Sequence, residues 1–362
     1  MELSQIFTTG ELGYYIFRIP ALLATPQGTL LAFCAARRGT GDDWDPIDTV
    51  MRRSTDGGDT WGPITVLASD APNTVDNPTP IYDRETGSIH LLYQINYARV
   101  YSIRSDDEGE TWSQPQDLTP TFEQFWSDYP WRVIAPGPGH SIQLRNGRLL
   151  VAVWLSTGEN NNFGPGKLGH RPSCVATIYS DDHGATWQRG DIVVNHSDEF
   201  PNPSETVPLE LTDGRVALFI RCESPMLRRA YAVSPDGAHN WSQPILHKEL
   251  YEAVCMASCI AMDLPSGEHV VLYSHPDSSA KPKANGARFG ARENLTIRLS
   301  YDDGKTWPIA RSLDPSFSGY SDLAVLPNGT ICCLYEGGTI EGDMFRNTHL
   351  TLARFGIDWV SS

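Results

Sequence analysis

Residues Ser54 to Trp61 read STDGGDTW, and the pattern SxDxGxTW returns as SDDEGETW at Ser105 to Trp112, SDDHGATW at Ser180 to Trp187 and SYDDGKTW at Ser300 to Trp307. A worn copy, SPDGAHNW, lies at Ser234 to Trp241. A pattern that recurs along the whole chain decides the architecture before any single element does, because repeating units bury their apolar faces by stacking on one another. Each copy, an Asp box, reads as a hairpin turn. A β-rich run precedes it, as Ala176 to Tyr179 precede Ser180. The Asp is expected to accept hydrogen bonds from N–H groups two residues on, the Gly to supply positive φ, and the Trp to pack back on the sheet. The motif is therefore structural rather than chemical.

The copies start at residues 54, 105, 180, 234 and 300, a spacing slightly wider than the usual four-stranded blade. A repeat of roughly 60 residues divides the chain into about six units, so the fold expected is an all-β, six-bladed β-propeller, one blade lacking a recognisable box. Residues 1–362 are expected to form one domain, since no Ser/Gly tract, charge block or low-complexity segment interrupts the repeat. The chain is 40% apolar with ten Trp, fourteen Tyr and twelve Phe, ample for a core, and its 31 Gly and 26 Pro suit a chain full of turns.

The first residues, Met1 to Gln5, carry no basic segment followed by an apolar run, and no apolar stretch approaches 20 residues. Seven Cys, two of them adjacent at Cys332 and Cys333, show no paired spacing, which favours reduced thiols and a cytoplasmic location, a trimmed secretion signal aside. A net charge of −16 and a pI of about 5.0 disfavour nucleic acid or an anionic membrane as partner. An anionic ligand would require a local cluster of arginines. The ten His show no metal-binding spacing, so neither metal nor cofactor is expected.

Phe17-Arg18-Ile19-Pro20 sets a charged residue in an apolar run ahead of the series of Asp boxes. This combination resembles the sialidase (neuraminidase) superfamily of exo-glycosidases, and the resemblance spans nearly the whole chain, from Phe17 to the closing strand near Leu350 to Phe355. It implies a six-bladed propeller that cleaves terminal sialic acids with an arginine triad, an Asp and a Tyr–Glu pair. Arg18 corresponds to the first triad member. Arg221 follows the segment SETVPLELTDG and corresponds to the second, and Arg292, in RENLTI, to the third, ahead of Arg298. Three guanidiniums suit a carboxylate because each offers planar, charge-assisted hydrogen bonds.

The resemblance further implies that Tyr320, in YSDL, is the nucleophile and that Glu205 is its partner, with Glu210 as the competing carboxylate. The Tyr nucleophile is a recognised exception to two-carboxylate glycosidases. A sialic acid bears its carboxylate on the anomeric carbon, so a neutral phenol approaches where an Asp or Glu would meet like charge. The phenol is a poor nucleophile until a base takes its proton. The acid/base residue belongs to the loop Arg37 to Asp48, where alignment back from Arg53-Ser54 favours Asp42 over Asp43 and makes Arg37 a further substrate-binding arginine. Closure of Trp44 over the substrate would help raise the acid's pKa. Asn77 stands where some members have Asp before Pro and is expected at the substrate. Ala135 to His140, APGPGH, reads as backbone geometry.

The function expected is therefore a retaining exo-sialidase acting on sialylated glycans. The alternatives are the same chemistry on another 2-keto-3-deoxy sugar acid such as Kdn, and a non-catalytic glycan-binding propeller.

Overall fold

The computed structural model describes residues 1–160, 163–164, 166–280 and 289–362. Its sheets are antiparallel and follow one another along the chain. The first runs Ile16–Ala24, Leu30–Arg37, Ile47–Ser54, Thr65–Ala68, and the second Val75–Asp83, Ser88–Ile95, Arg99–Ser105, Gln116–Asp117. The third runs Val133–Pro136, Leu149–Ser156, Ser173–Ser180, Gln188–Asn195, with Ile142–Gln143 added, and the fourth Thr206–Glu210, Val216–Ile220, Arg228–Ser234, Ile245–Tyr251. A seven-stranded sheet follows, from Ser258–Asp263 through the long strand Ile309–Val325 to His349–Phe355, against which the N-terminal strand Glu2–Thr8 pairs. The long strand bonds Glu293–Ser300 through its first half and Ile331–Gly337 through its second. Together these sheets make an all-β, propeller-like arrangement.

The apolar core is a succession of layers between consecutive sheets. Ala21, Leu31 and Phe33 of the first sheet pack on Ile89, Leu91 and Tyr93 of the second. Ile81 and Leu92 meet Val151 and Val153 of the third, and Ala152 and Trp154 meet Leu218 and Ile220 of the fourth. Phe219 then packs with Val271 and Tyr273, and Leu272 and Ile297 with Leu323 and Cys333, so a layer also separates the two halves of the seven-stranded sheet. Leu22, Ala32 and Val50 finally meet Leu334 and Leu352, which returns the succession to the first sheet. Strands enclosed on both faces need no polar alternation. Leu30–Arg37 (LLAFCAAR) and Leu149–Ser156 (LLVAVWLS) are accordingly buried throughout.

Each Asp box follows the strand whose last residue is its Ser, as Ser54 ends Ile47–Ser54 and Ser300 ends Glu293–Ser300. The turn is held differently from the sequence expectation. In the second box Ser105 Oγ accepts the Gly109 N–H (2.9 Å), while Asp107 accepts the N–H of Thr111 (2.9 Å) and its hydroxyl, four residues on rather than two. The worn box uses a tighter version, in which Ser234 Oγ accepts the Gly237 N–H (3.0 Å) and Asp236 the Ala238 and His239 N–H groups (2.9 and 2.8 Å).

On the inner side, Asp322 joins four segments through one buried carboxylate. It accepts the Leu22 N–H (2.8 Å), the His140 N–H (2.9 Å) and the Ser258 hydroxyl (2.7 Å), and faces His140 Nδ1 at 2.7 Å. His140, in the APGPGH connection, thus adds a side-chain tie to what the sequence reads as backbone geometry. All seven cysteines are buried and free, and no described helix is long and apolar enough to cross a membrane.

Ser180 hands its hydroxyl to Asp182 (2.8 Å) and accepts the buried Gly184 N–H (2.8 Å). Ser180→Ala leaves that N–H without a partner, at a cost of about 1–3 kcal/mol, and is expected to lower the melting temperature by several degrees with activity retained in the folded protein. The Thr111 hydroxyl and N–H hold Asp107 down at about 2, and the Thr60 contacts likewise lower Asp56. Carboxyls depressed on folding stabilise above their unfolded pKa, so a pH titration of stability should show loss beginning near pH 4 and continuing towards pH 2.

Candidate active site

Strand bulges lie beside the site residues. Between Arg18 and Ala21 the register shifts and Ile19 takes φ 57°; between Asp76 and Thr79 it shifts again with Asn77 at φ 62°. A third shift lies between Ser318 and Ser321, around Tyr320, and a fourth between Glu293 and Leu295, beside Arg292. Bulges of this kind bend a strand and redirect its side chains, and they gather next to active sites. Here they direct Arg18, Asn77, Arg292 and Tyr320 into one cavity of about 390 Å³, which Arg37, Asp42, Asp43, Glu205 and Arg221 also line. That is a size suited to a small ligand.

Tyr320 stands at its centre. The Arg18 and Arg292 guanidinium carbons lie 5.4 and 5.0 Å from its ring centroid, and Arg221 Nη1 donates to its hydroxyl oxygen at 2.7 Å. The phenol in turn donates to Glu205, which also pairs with Arg221. Burial pushes Tyr320 far above the usual phenol range despite Arg221. It is therefore a phenol whose proton has a carboxylate acceptor already in place.

Each arginine is held by a specific partner. Arg18 forms a two-pronged pair with Glu336 (Nε–Oε1 3.0 Å, Nη2–Oε2 3.2 Å), and Glu336 also accepts the Ile19 and Tyr320 N–H groups, each at 3.1 Å. Gly319 permits this approach, since a Cβ there would come within 2.1 Å of Glu336 Oε2. Arg37 is fully buried between Asp43 (2.7 Å) and Asp76 (3.1 Å) and donates to the Gly41 carbonyl (2.9 Å). Arg292 Nη2 donates to the carbonyl of Val254 (3.1 Å), a β-branched residue held at φ 61°. Such a conformation costs on the order of 1–3 kcal/mol and persists only where its surroundings enforce it. They do so here: the buried pair Arg229–Glu252 (2.9 Å) clamps the turn, with Arg229 on the Cys255 carbonyl and Glu252 on the Cys255 N–H.

Among the described residues, Arg292 Nε and Nη1, Arg221 Nε and Arg37 Nε are buried without a hydrogen-bond partner. Buried donors are ordinarily satisfied, so these nitrogens lie where the fold supplies no acceptor of its own.

Asp42 and Asp43 both line the cavity but differ in setting. Burial works to raise the Asp43 pKa, and Arg37, His170 and Arg18 outweigh it, holding this carboxyl far below the usual range. Asp42 accepts the Trp44 N–H (2.8 Å) and pairs with Lys167 (3.0 Å). Trp44 packs on Tyr97 (5.2 Å), which with Trp154, Phe163 and His170 makes an aromatic wall. Enclosure lowers His170 to about 4, so it is neutral at pH 7.

The competing residues lie elsewhere. Glu210 accepts the Arg145 N–H (2.9 Å), and Arg298 is taken up by Asp277 (2.6 Å) and His275 (3.0 Å). Glu336, Asp76 and the aromatic wall beyond Trp44 escaped the sequence reading. An acid ending the apolar run Ile331 to Tyr335 was the available signal for Glu336. No cluster of metal-ligating side chains occurs among the described residues.

The propeller-like fold thus carries, at one cavity, a phenol–carboxylate pair ringed by buried arginines. Residues 28–333 match the model of the BNR repeat-like domain. The chain is 34% identical to a sialidase of Micromonospora viridifaciens over 92% of its length, though it spans only 52% of that relative. It is 30% identical to sialidase-2 of Rattus norvegicus, covering 91% of each chain. Among solved structures, the Hadza microbial sialidase Hz136 superposes with a TM-score of 0.80 at 26% identity, over 99% of this chain and 69% of that one. The chain belongs to the sialidase family of glycoside hydrolases.

Glu336 is held low because Arg18 and Arg292 outweigh its burial. Glu336→Gln leaves Arg18 without its counter-charge and should destabilise the protein by about 3 kcal/mol at pH 7. The wild-type pair is intact above the unfolded Glu pKa and is lost as pH falls through the depressed folded value. The difference between the two proteins in chemical denaturation should therefore shrink below about pH 4.

Proposed function

We propose that the chain is a retaining exo-sialidase that hydrolyses terminal α-linked sialic acid from glycoconjugates. The observation that carries this reading is the Tyr320 hydroxyl, bonded to Glu205 and Arg221 and flanked by the guanidiniums of Arg18 and Arg292. In the proposed complex Arg18, Arg221 and Arg292, which all line the cavity, bind the substrate carboxylate. Arg37 and Asn77 complete the substrate-binding wall. The Tyr320 oxygen attacks the anomeric carbon while Glu205 takes its proton. Asp42 protonates the departing glycosidic oxygen, whose bond to the anomeric carbon breaks.

Water then attacks the tyrosyl glycoside from the vacated side, Asp42 takes the water's proton, and Glu205 returns its own to the leaving Tyr320. Two inversions give net retention. Asp43 is unsuited to the acid role because it is the counter-charge of the fully buried Arg37, whereas the cation beside Asp42, Lys167, is a half-buried loop side chain. The six-bladed reading and a single domain over residues 1–362 are part of the same proposal. They are supported by the seven-stranded sheet changing partners midway along Ile309–Val325, and by the apolar layer between its halves.

The test pairs fluorogenic α-glycosides of N-acetylneuraminic acid and Kdn, with the wild type, Tyr320→Phe and Arg292→Ala run side by side. The wild type is expected to prefer the acetylated sugar. Tyr320→Phe should lower kcat by about 10³-fold or more with KM little changed, and Arg292→Ala should raise KM and lower kcat/KM at least ~100-fold. Preference for Kdn would move the substrate but keep the chemistry. Unchanged turnover in Tyr320→Phe would remove it from the nucleophile's role, and binding without release of sugar would favour a glycan-binding propeller.

A further inference from the structure

The segment between Arg37 and Ile47 departs from and returns to adjacent strands, closed at its base by the Arg38 N–H donating to the Pro46 carbonyl (2.9 Å). Within it, one oxygen organises the backbone. Asp45 Oδ2 accepts the N–H groups of Thr40 (2.7 Å), Gly41 (2.7 Å) and Asp42 (3.0 Å), and the Thr40 hydroxyl at 3.2 Å. Three consecutive amides converging on one point form a concave nest for negative charge. Here the nest is filled from inside the loop.

The loop backbone is shaped for that carboxylate. Gly39 and Gly41 take φ 78° and 85°, and a Cβ on Gly39 would approach the Asp45 carboxylate to 3.2 Å. The same turn presents the Gly41 carbonyl to Arg37 Nη1 (2.9 Å). Asp42 is therefore fixed at its own N–H by Asp45 and, one residue earlier, by the buried Arg37. Its side chain turns to the Trp44 N–H and Lys167 rather than joining Arg37 as Asp43 does.

We propose that Asp45 is a positioning residue for catalysis: it gathers the loop amides so that Asp42, the proton donor of the reading above on which this inference rests, is held over the leaving oxygen. Asp45 touches no reacting atom. Its removal frees three amides that water can solvate, so the loop loosens while Arg18, Arg221, Arg292 and Tyr320, all held from outside the loop, stay in place. The expected signature is a defect in leaving-group protonation alone. A misplacement of about 1 Å in a reacting group costs up to ~100-fold.

The experiment measures kcat/KM for Asp42→Asn, Asp45→Ala and Asp45→Asn on two substrates. A 4-nitrophenyl α-sialoside departs with little protonation, whereas sialyllactose expels a sugar alkoxide that needs it. Asp42→Asn should lose ~100-fold or more on sialyllactose and far less on the nitrophenyl glycoside. Asp45→Ala should show the same bias at ~10–100-fold on sialyllactose and about 3-fold or less on the aryl substrate, with Asp45→Asn, which keeps one acceptor oxygen, in between. If Asp45→Ala does not fold, as judged by its thermal transition, the bias in Asp45→Asn decides. Equal losses on both substrates, or none, beside a biased Asp42→Asn would overturn the positioning role and leave the acid assignment standing. An unbiased Asp42→Asn would overturn the acid assignment, and this proposal with it.

Discussion

The burial of several guanidiniums around one phenol is the constraint on which the rest of the structure depends. An arginine cannot shed its proton to escape a low-dielectric site, so each buried one needs acceptors supplied by the fold. Glu336 serves Arg18, Glu205 serves Arg221, Asp43 and Asp76 serve Arg37, and Glu252 serves Arg229. Among the described residues Arg292 is the exception, with a carbonyl from the strained Val254 turn and the faces of Tyr320 and Phe345 in place of a carboxylate of its own. The cavity is thus largely charge-compensated at its walls, with Arg292 and Arg221 each keeping a nitrogen that no described residue satisfies.

The architecture serves this arrangement because three of these contacts, Arg18–Glu336, Arg37–Asp76 and Glu205–Tyr320, join different sheets. Arg18 and Glu336 lie on separate strands, Ile16–Ala24 and Ile331–Gly337, and Glu205 meets Tyr320 from a different sheet. Antiparallel sheets arranged around a common centre bring inner strands together at one end, and the bulges at Ile19, Asn77 and Ser318 to Ser321 turn side chains towards it. Asp322, bonded to Leu22, His140 and Ser258, ties the same strands two residues beyond Tyr320. The close-packed apolar layers between sheets make this a rigid frame, as preorganised charge recognition requires.

How much of this was legible in the sequence followed from how local each interaction is. An Asp box is complete within eight residues, so its repetition exposed the fold, and even the worn copy at Ser234 keeps its Ser–Gly and Asp–amide bonds. Arg18, Arg221, Arg292, Tyr320 and Glu205 sit in short strand motifs that could be matched one by one. Glu336 and Asp76 were not legible as partners, because what makes them necessary is a guanidinium brought from elsewhere in the fold. The aromatic wall likewise draws on Trp44, Tyr97, Trp154 and His170 from separate segments. The continuous strand Ile309–Val325 was hidden by Pro315, which sits in the bulge between Asp314 and Phe317, just before the strand exchanges one neighbour for the other.

The central claim, that Tyr320 becomes covalently bound to the sugar, is tested most directly by trapping. A 2,3-difluorinated sialic acid slows both steps by destabilising the positively charged transition states, while its anomeric fluoride still leaves readily enough for the first step to proceed. Intact-mass measurement followed by peptide mapping should then find one sugar per chain, attached to the phenol oxygen of Tyr320 and absent in Tyr320→Phe. Attachment to Glu205, or turnover of α-sialoside with release of the β-anomer as first product, would contradict the account.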